Sequence, residues 1–193
     1  SRGYFSTYAI PIQETGLRIR YPFSEKFYTE FYFVNGWNVT ADNNKAKTFG
    51  PSFGIKPAPW LSLYANYLVG NEQSGNDSFF KNLRHLTAAR ADIAVGRRMN
   101  LHVNWVRGQE SDIPGIGDAI WHSTALWIRY KVADAFEPVF RGEWYHDKDT
   151  VTTGVSQNLW GLTLTMNLKI GDGRFGRLLV RPEVRHDYSD RPF

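Results

Sequence analysis

Trp160-Gly161-Leu162-Thr163-Leu164-Thr165-Met166-Asn167-Leu168-Lys169-Ile170 and Leu178-Leu179-Val180-Arg181-Pro182-Glu183-Val184-Arg185-His186-Asp187-Tyr188, with Gly171-Asp172-Gly173 between them, decide the fold. In the first stretch Trp160, Leu162, Leu164, Met166, Leu168 and Ile170 alternate with Gly161, Thr163, Thr165, Asn167 and Lys169. In the second, Leu178, Val180, Pro182, Val184, His186 and Tyr188 alternate with Leu179, Arg181, Glu183, Arg185 and Asp187. Successive side chains of a strand point to opposite faces, so a period of two gathers the apolar residues on one face. The opposite face carries Arg, Glu, Arg and Asp at every second position. A sheet with lipid on one side and water on the other requires that division.

Working outward, ten stretches show the same period: 16–23, 27–37, 48–56, 61–70, 83–96, 101–109, 119–132, 136–146, 158–170 and 176–188. No window favours an amphipathic helix, and residues 1–15 read as an irregular opening. The connections alternate in length. Ser24-Glu25-Lys26, Pro57-Ala58-Pro59, Arg97-Arg98-Met99-Asn100, Ala133-Asp134-Ala135 and Gly171-Asp172-Gly173 are short. Residues 38–47, 71–82, 110–118 and 147–157 are long, polar and rich in Asn, Asp, Gly and Ser. Short turns at one end and long loops at the other describe an up-and-down meander, and outer-membrane barrels have that asymmetry.

Sorting by parity puts Leu17, Ile19, Phe31, Phe33, Phe53, Leu63, Val103, Leu126, Ile128 and Phe140 on the apolar face. The other face collects Arg18, Arg20, Lys56, Arg84, Arg90, Arg129, Lys131, Arg141, Lys169, Arg181 and Arg185 with Glu30, Asp92, Glu143, Glu183 and Asp187. These are the expected lining residues of a pore. Eleven cations against five anions give that face a surplus of +6 within a chain whose net charge is +4. Arg107 is the main charge left on the apolar parity.

The composition excludes other classes. The chain of 193 residues is long enough for one domain and has no cysteine, hence no disulfide framework and no thiolate site. A net charge of +4 without a clustered patch does not suggest nucleic acid. No apolar run is long enough for a membrane helix, and Ser1-Arg2-Gly3-Tyr4 has no signal-peptide pattern. A soluble antiparallel barrel would show the same alternation, with the apolar list as its core. Three features favour the membrane. The strands exceed the usual five or six residues of soluble sheets and fit the roughly 9–11 of a tilted membrane strand. Aromatics gather near strand ends (Phe23, Phe27, Trp37, Trp60, Tyr67, Trp105, Trp121, Tyr130, Trp144, Trp160 and Tyr188), as interfacial girdles require. Ala65, Ala89, Ala91 and Gly142 on the apolar face would leave voids in a dry core, whereas lipid fills such gaps.

Several stretches, in order, resemble the beta-barrel porin-2 (OmpL-like) family of Gram-negative outer-membrane proteins. They are Tyr8-Ala9-Ile10-Pro11 before Thr15-Gly16-Leu17-Arg18, then Val34-Asn35-Gly36-Trp37, Asp42-Asn43-Asn44 with Lys47-Thr48-Phe49-Gly50, and Leu61-Ser62-Leu63-Tyr64-Ala65-Asn66-Tyr67. Near the end stand Tyr145-His146-Asp147-Lys148-Asp149 and the run from Leu178 to Ser189. The resemblance implies a porin-like barrel and carries no catalytic residue across. The family pattern begins before Ser1 and continues past Phe193, so this chain is expected to be about ten strands of a barrel of twelve or more.

No motif requires chemistry. Gly171-Asp172-Gly173-Arg174-Phe175-Gly176 matches a dinucleotide fingerprint by letter, but a strand follows it where a helix is needed. His146-Asp147-Lys148-Asp149 offers metal-ligand types and reads instead as a loop tip. His85, His122 and His186 stand singly along strands. Glu143, Glu183 and Asp187 alternate with Arg141, Arg181 and Arg185, neighbours that oppose a general acid. No serine lies in a nucleophile elbow, and Asn38-Val39-Thr40 and Asn76-Asp77-Ser78 carry no weight as sequons in a bacterial compartment.

The expectation is an outer-membrane channel for passive diffusion of small hydrophilic solutes, with a weak anion preference. It needs no metal or cofactor and performs no catalysis. Its partners are outer-membrane lipid and lipopolysaccharide, small solutes or ions, and further copies of itself. Residues 4–15 are positioned to fold inward, which makes a non-conducting structural or adhesive barrel the alternative. A soluble lipocalin-like carrier is the third reading.

Overall fold

The structure, a computed structural model, describes residues 1–193 except 42, 43, 76, 77, 172–175, 177 and 193. The described strands are β1 (Gly16–Pro22), β2 (Phe27–Val34), β3 (Thr48–Ala58), β4 (Leu61–Asn71), β5 (Leu83–Val95), β6 (Met99–Ile113), β7 (Gly117–Tyr130), β8 (Phe136–Asp147), β9 (Gln157–Ile170), β10 (Leu178–Val180) and β11 (Glu183–Ser189). All pair antiparallel in sequence order, an up-and-down meander. Among the described residues the sheet does not close on itself: β1 pairs with β2 alone, and β10 and β11 pair with β9 alone.

The tenth expected strand appears as two elements with one register. Val180 faces Leu168 and Glu183 faces Thr165, so the ladder resumes in step after Arg181-Pro182. Proline has no N–H to give to a ladder, which accounts for the gap. Its carbonyl still accepts from the Met166 N–H at 3.0 Å. The hairpin turn through 172–175, the fingerprint string within it, and the sequon residues Asn76 and Asp77 lie outside the described residues.

One connection differs from expectation. Residues 110–118 are not a long loop, because β6 and β7 extend past it and turn at 114–116. Gly115 and Gly117 take positive φ values of 80° and 87°, a backbone region that glycine enters without strain. A register shift between Glu110 and Ile113 adds the local twist. Connections 35–47, 72–82 and 148–156 remain long and share one rim.

The two faces are as segregated as the parity predicts, and the apolar one is outside. Leu162, Leu164 and Val180, which a soluble barrel would bury, are 50%, 41% and 37% exposed. Glu30, Ser52, Ser123, Arg141, Glu143, Thr163 and Asn167 on the opposite face are buried. Arg141 and Glu143 among them are covered by residues 1–15, which form a short π-helical turn at Phe5–Ala9 where the sequence suggested an irregular segment. That turn packs on β6, β7 and β8. The face it covers is the inner face below.

Candidate channel wall

Two kinds of surface share the inner face. Toward the long-loop rim, Phe5 and Ala9 pack into a dry cluster with Leu86, Val106, Trp121, Ala125, Tyr145 and Leu159. Trp121 is 1% exposed, and its indole N–H donates to the Ala9 carbonyl at 3.3 Å. Trp37 meets Trp121 edge to face at 5.9 Å. Both tryptophans were expected in an outer girdle, and the structure places them inside. The parity of Trp121 held this information: it shares the side of β7 with Ser123 and Arg129.

Glu143 anchors the segment. Its carboxylate accepts from the Phe5 N–H at 3.2 Å and lies 3.3 Å from Arg141 Nε and 3.9 Å from Arg185. A side chain at Gly3 would collide with that carboxylate, so glycine there lets Glu143 keep this position. Arg141 also donates to the Ser1 carbonyl at 2.9 Å and to Thr163 Oγ1 at 3.0 Å, and Arg185 donates to the Arg2 carbonyl. At the other end of the segment, Asn38 Oδ1 accepts from the Ile12 and Gln13 N–H groups at 2.6 and 3.1 Å.

Toward the short-turn rim the inner face is open. A cleft of about 510 Å³ is lined by Lys56, Ser62, Asp92, His102, Trp127 and Arg129 among others. A second, of about 350 Å³, shares Trp127 and Arg129 and adds Thr165, Arg181 and Glu183. Lys169 is exposed near this rim. Lys131 sits past the end of β7 and bridges Asp134 at 2.5 Å, which holds Asp134 below the usual aspartate range. Arg90 donates to Asp92 at 2.6 Å, and His102 meets the same carboxylate.

The remaining expected lining residues also fall on the inner face, in separate pairs. Arg18 and Arg20 approach Glu30 at 2.5 and 3.6 Å beside the β1 edge. Arg84 pairs with Glu110 at 2.5 Å, and Arg185 with Asp187 at 2.8 Å. Glu110, 3% exposed, was not among the expected lining residues because it lay in the stretch read as a loop. His146, Asp147 and Asp149 do not converge on a metal site. The Asp147 carboxylate accepts from the Val151, Thr152 and Thr153 N–H groups at 2.7–3.1 Å, and Asp149 accepts from Ile120 N–H at 2.9 Å.

The outer face carries a pattern of its own. Ladder partners bring Ala65, Ala89, Trp105, Thr124, Trp144, Trp160 and Tyr188 into one row across β4 to β9 and β11. From that row toward the short turns the outward positions of β9 are Leu162, Leu164, Met166, Leu168 and Ile170. Trp160 to Ile170 spans about 33 Å along the strand at ~3.3 Å per residue. A tilt of ~40° reduces that to about 25 Å, the height of an outer-membrane apolar band. Trp105, Trp144, Trp160 and Tyr188 in that row bound the band where a girdle is expected.

Over residues 1–193 the chain matches the family described as putative beta-barrel porin-2, OmpL-like. The chain belongs to that family. No curated protein matches it. In this OmpL-like chain no described helix is long and apolar enough to cross a membrane. Sequence parity found the charges of the wall and missed its dry half. The missed residues Leu86, Val106, Trp121, Tyr145 and Leu159 are apolar side chains on the polar parity, clustered toward the long-loop end. Phe5, Tyr8 and Ile10 in the opening segment are their complement.

Proposed function

We propose that this OmpL-like chain forms the wall of a bacterial outer-membrane channel for passive diffusion of small hydrophilic solutes, with a weak preference for anions. One observation carries the reading: an ionic inner face lies behind an outer apolar band bounded by an aromatic row. Charges lining a narrow aqueous path bias which ions pass. Lys56, Arg129, Arg181 and Lys169 stand in the open half of that face, where water and solute meet them. Replacing Arg129 and Arg181 by Glu is expected to move the reversal potential in planar bilayers toward cation selectivity. An unchanged potential leaves these residues as structural ladder members and removes the anion preference.

The buried opening segment favours a second reading, a barrel that residues 1–15 close at the long-loop end. Liposome swelling with and without that segment separates the two. Swelling by the intact protein supports the channel, and swelling only after removal of the segment supports the closed barrel.

A further inference from the structure

One step above the girdle, toward the long loops, lies a second row on the outer face. Tyr67, Thr87, Arg107, His122, His146 and Asn158 stand opposite one another on β4 to β9. The rows below it hold Leu63, Ala91, Val103, Leu126, Gly142 and Leu162, then Leu61, Ile93, Leu101, Ile128, Phe140 and Leu164. The change from apolar to polar is therefore abrupt and occurs at the same level in six neighbouring strands.

Arg107 is the distinctive member. It is exposed, and no carboxylate among the described residues pairs with it, whereas Arg18, Arg84, Arg90, Arg141 and Arg185 each face an acid. Arginine on the lipid side of a barrel is unfavourable at mid-bilayer and tolerated at headgroup level. A guanidinium there lacks only an anion, and phosphate fits its fork of donors. Tyr67, His85, Thr87 and Gln109 line a shallow cavity of about 220 Å³ with it. Tyr67 Oη and His85 Nδ1 share a hydrogen bond of 2.6 Å, His122 stacks on His146 at 6.5 Å, and the Trp144 indole donates to Asn158 at 3.1 Å.

We propose that this row is a docking site for a phosphorylated glycolipid of the leaflet at the long-loop rim. The phosphate sits on Arg107, sugar hydroxyls meet the flanking hydroxyl, amide and imidazole groups, and acyl chains lie along the apolar band below. The proposal rests on the outer-membrane reading above. The width of the row favours a glycolipid over a simple phospholipid: six strands at ~4.8 Å spacing span about 24 Å. A single phosphodiester headgroup would occupy only the part around Arg107.

The test uses the whole chain refolded in detergent micelles and native mass spectrometry with four probes. They are bisphosphorylated lipid A, the same lipid without phosphate, phosphatidylglycerol and inorganic phosphate. Lipid A is expected to remain bound, and Arg107→Gln to lower its retention about tenfold, as loss of one charge-assisted contact implies. Thr87→Val, which keeps a β-branched strand residue, lowers retention less and serves if the arginine variant fails to fold. Arg97→Gln, in the turn at the other rim, leaves retention unchanged. Equal retention by Arg107→Gln, or equal binding of phosphate-free lipid, overturns the proposal. Phosphatidylglycerol binding as well as lipid A overturns the glycolipid assignment, and binding of inorganic phosphate alone overturns the lipid. Single-channel recording separates this site from the channel. A protein that conducts but retains no lipid A overturns the docking site alone, and one that retains lipid A without conducting overturns the channel alone.

Discussion

The two halves of the inner wall use the same residue types for different ends. In the long-loop half, Arg141, Arg185 and Glu143 are drawn together beneath residues 1–15, and the Glu143 side chain has no solvent exposure. In the short-turn half, Arg90, Asp92 and His102 form a comparable cluster with side chains 31–42% exposed. Charge in the first half fixes a segment in place, and charge in the second faces the solute path. What separates them is the cover, not the strands beneath: β8 and β9 run through both halves without a break in register. A lining charge is therefore available to solute only where no part of the chain has already engaged it.

Removing the cover is the strongest way to break this contrast. Deleting residues 1–15 should convert the dry half into open wall and raise single-channel conductance several-fold. Unchanged conductance would mean that the solute path avoids the segment. The dry half itself should respond most to its largest side chain. Trp121→Ala removes a buried tryptophan from the cluster and is expected to cost about 3–5 kcal/mol. Trp127→Ala, at the boundary with the open cleft, should cost less than half of that, and urea unfolding in liposomes checks both.

A sharper comparison substitutes like for like. Glu143→Gln strands Arg141 and Arg185 beside a neutral amide and is expected to cost about 3 kcal/mol, the lower end for a broken buried pair. Asp92→Asn, in the solvated cluster, should cost about 1 kcal/mol or less. If the two losses are equal, burial is not what distinguishes the halves. The Glu143 variant should also release the segment, seen as faster proteolysis near residues 1–15.

The parity of the strands made most of this fold legible. Alternation from Trp160 to Ile170 fixes which side chains share a face without any knowledge of partners, and ladder pairing extends that division across the sheet. Three things were hidden for physical reasons. Trp37 and Trp121 lie near strand ends whether a tryptophan faces lipid or the opening segment, so position alone could not assign them. The segment's course depended on contacts more than a hundred residues away, such as Phe5 to Glu143 and Ala9 to Trp121. Local pattern carries no such information. The turn at 114–116 was misread because its strands continue through the polar run Gln109-Glu110-Ser111-Asp112, which has the composition of a loop and the register of a hairpin.

The smallest expected effect concerns the two rims. Asp134, in the turn after β7, is held below its ordinary value of 3.8 by the hydrogen bond and charge of Lys131. Asp190, after β11, is lowered by the Asn158 side-chain and backbone N–H groups, both at 2.8 Å. A depressed carboxyl pKa contributes stability that is complete above the unfolded value and is lost as pH falls through the folded one. Both contacts should therefore loosen only below about pH 4, where ordinary aspartates protonate. Salt then tells them apart. An exposed ion pair is screened within about 8 Å at physiological ionic strength, whereas neutral amide donors are not. Raising salt should return the Asp134 titration toward 3.8 and leave that of Asp190 in place, followed by carboxyl carbon chemical shifts in detergent micelles. Equal salt responses would mean that Asp190 answers to nearby Arg191 rather than to Asn158, and the end of β11 would then be held by charge as the short turns are.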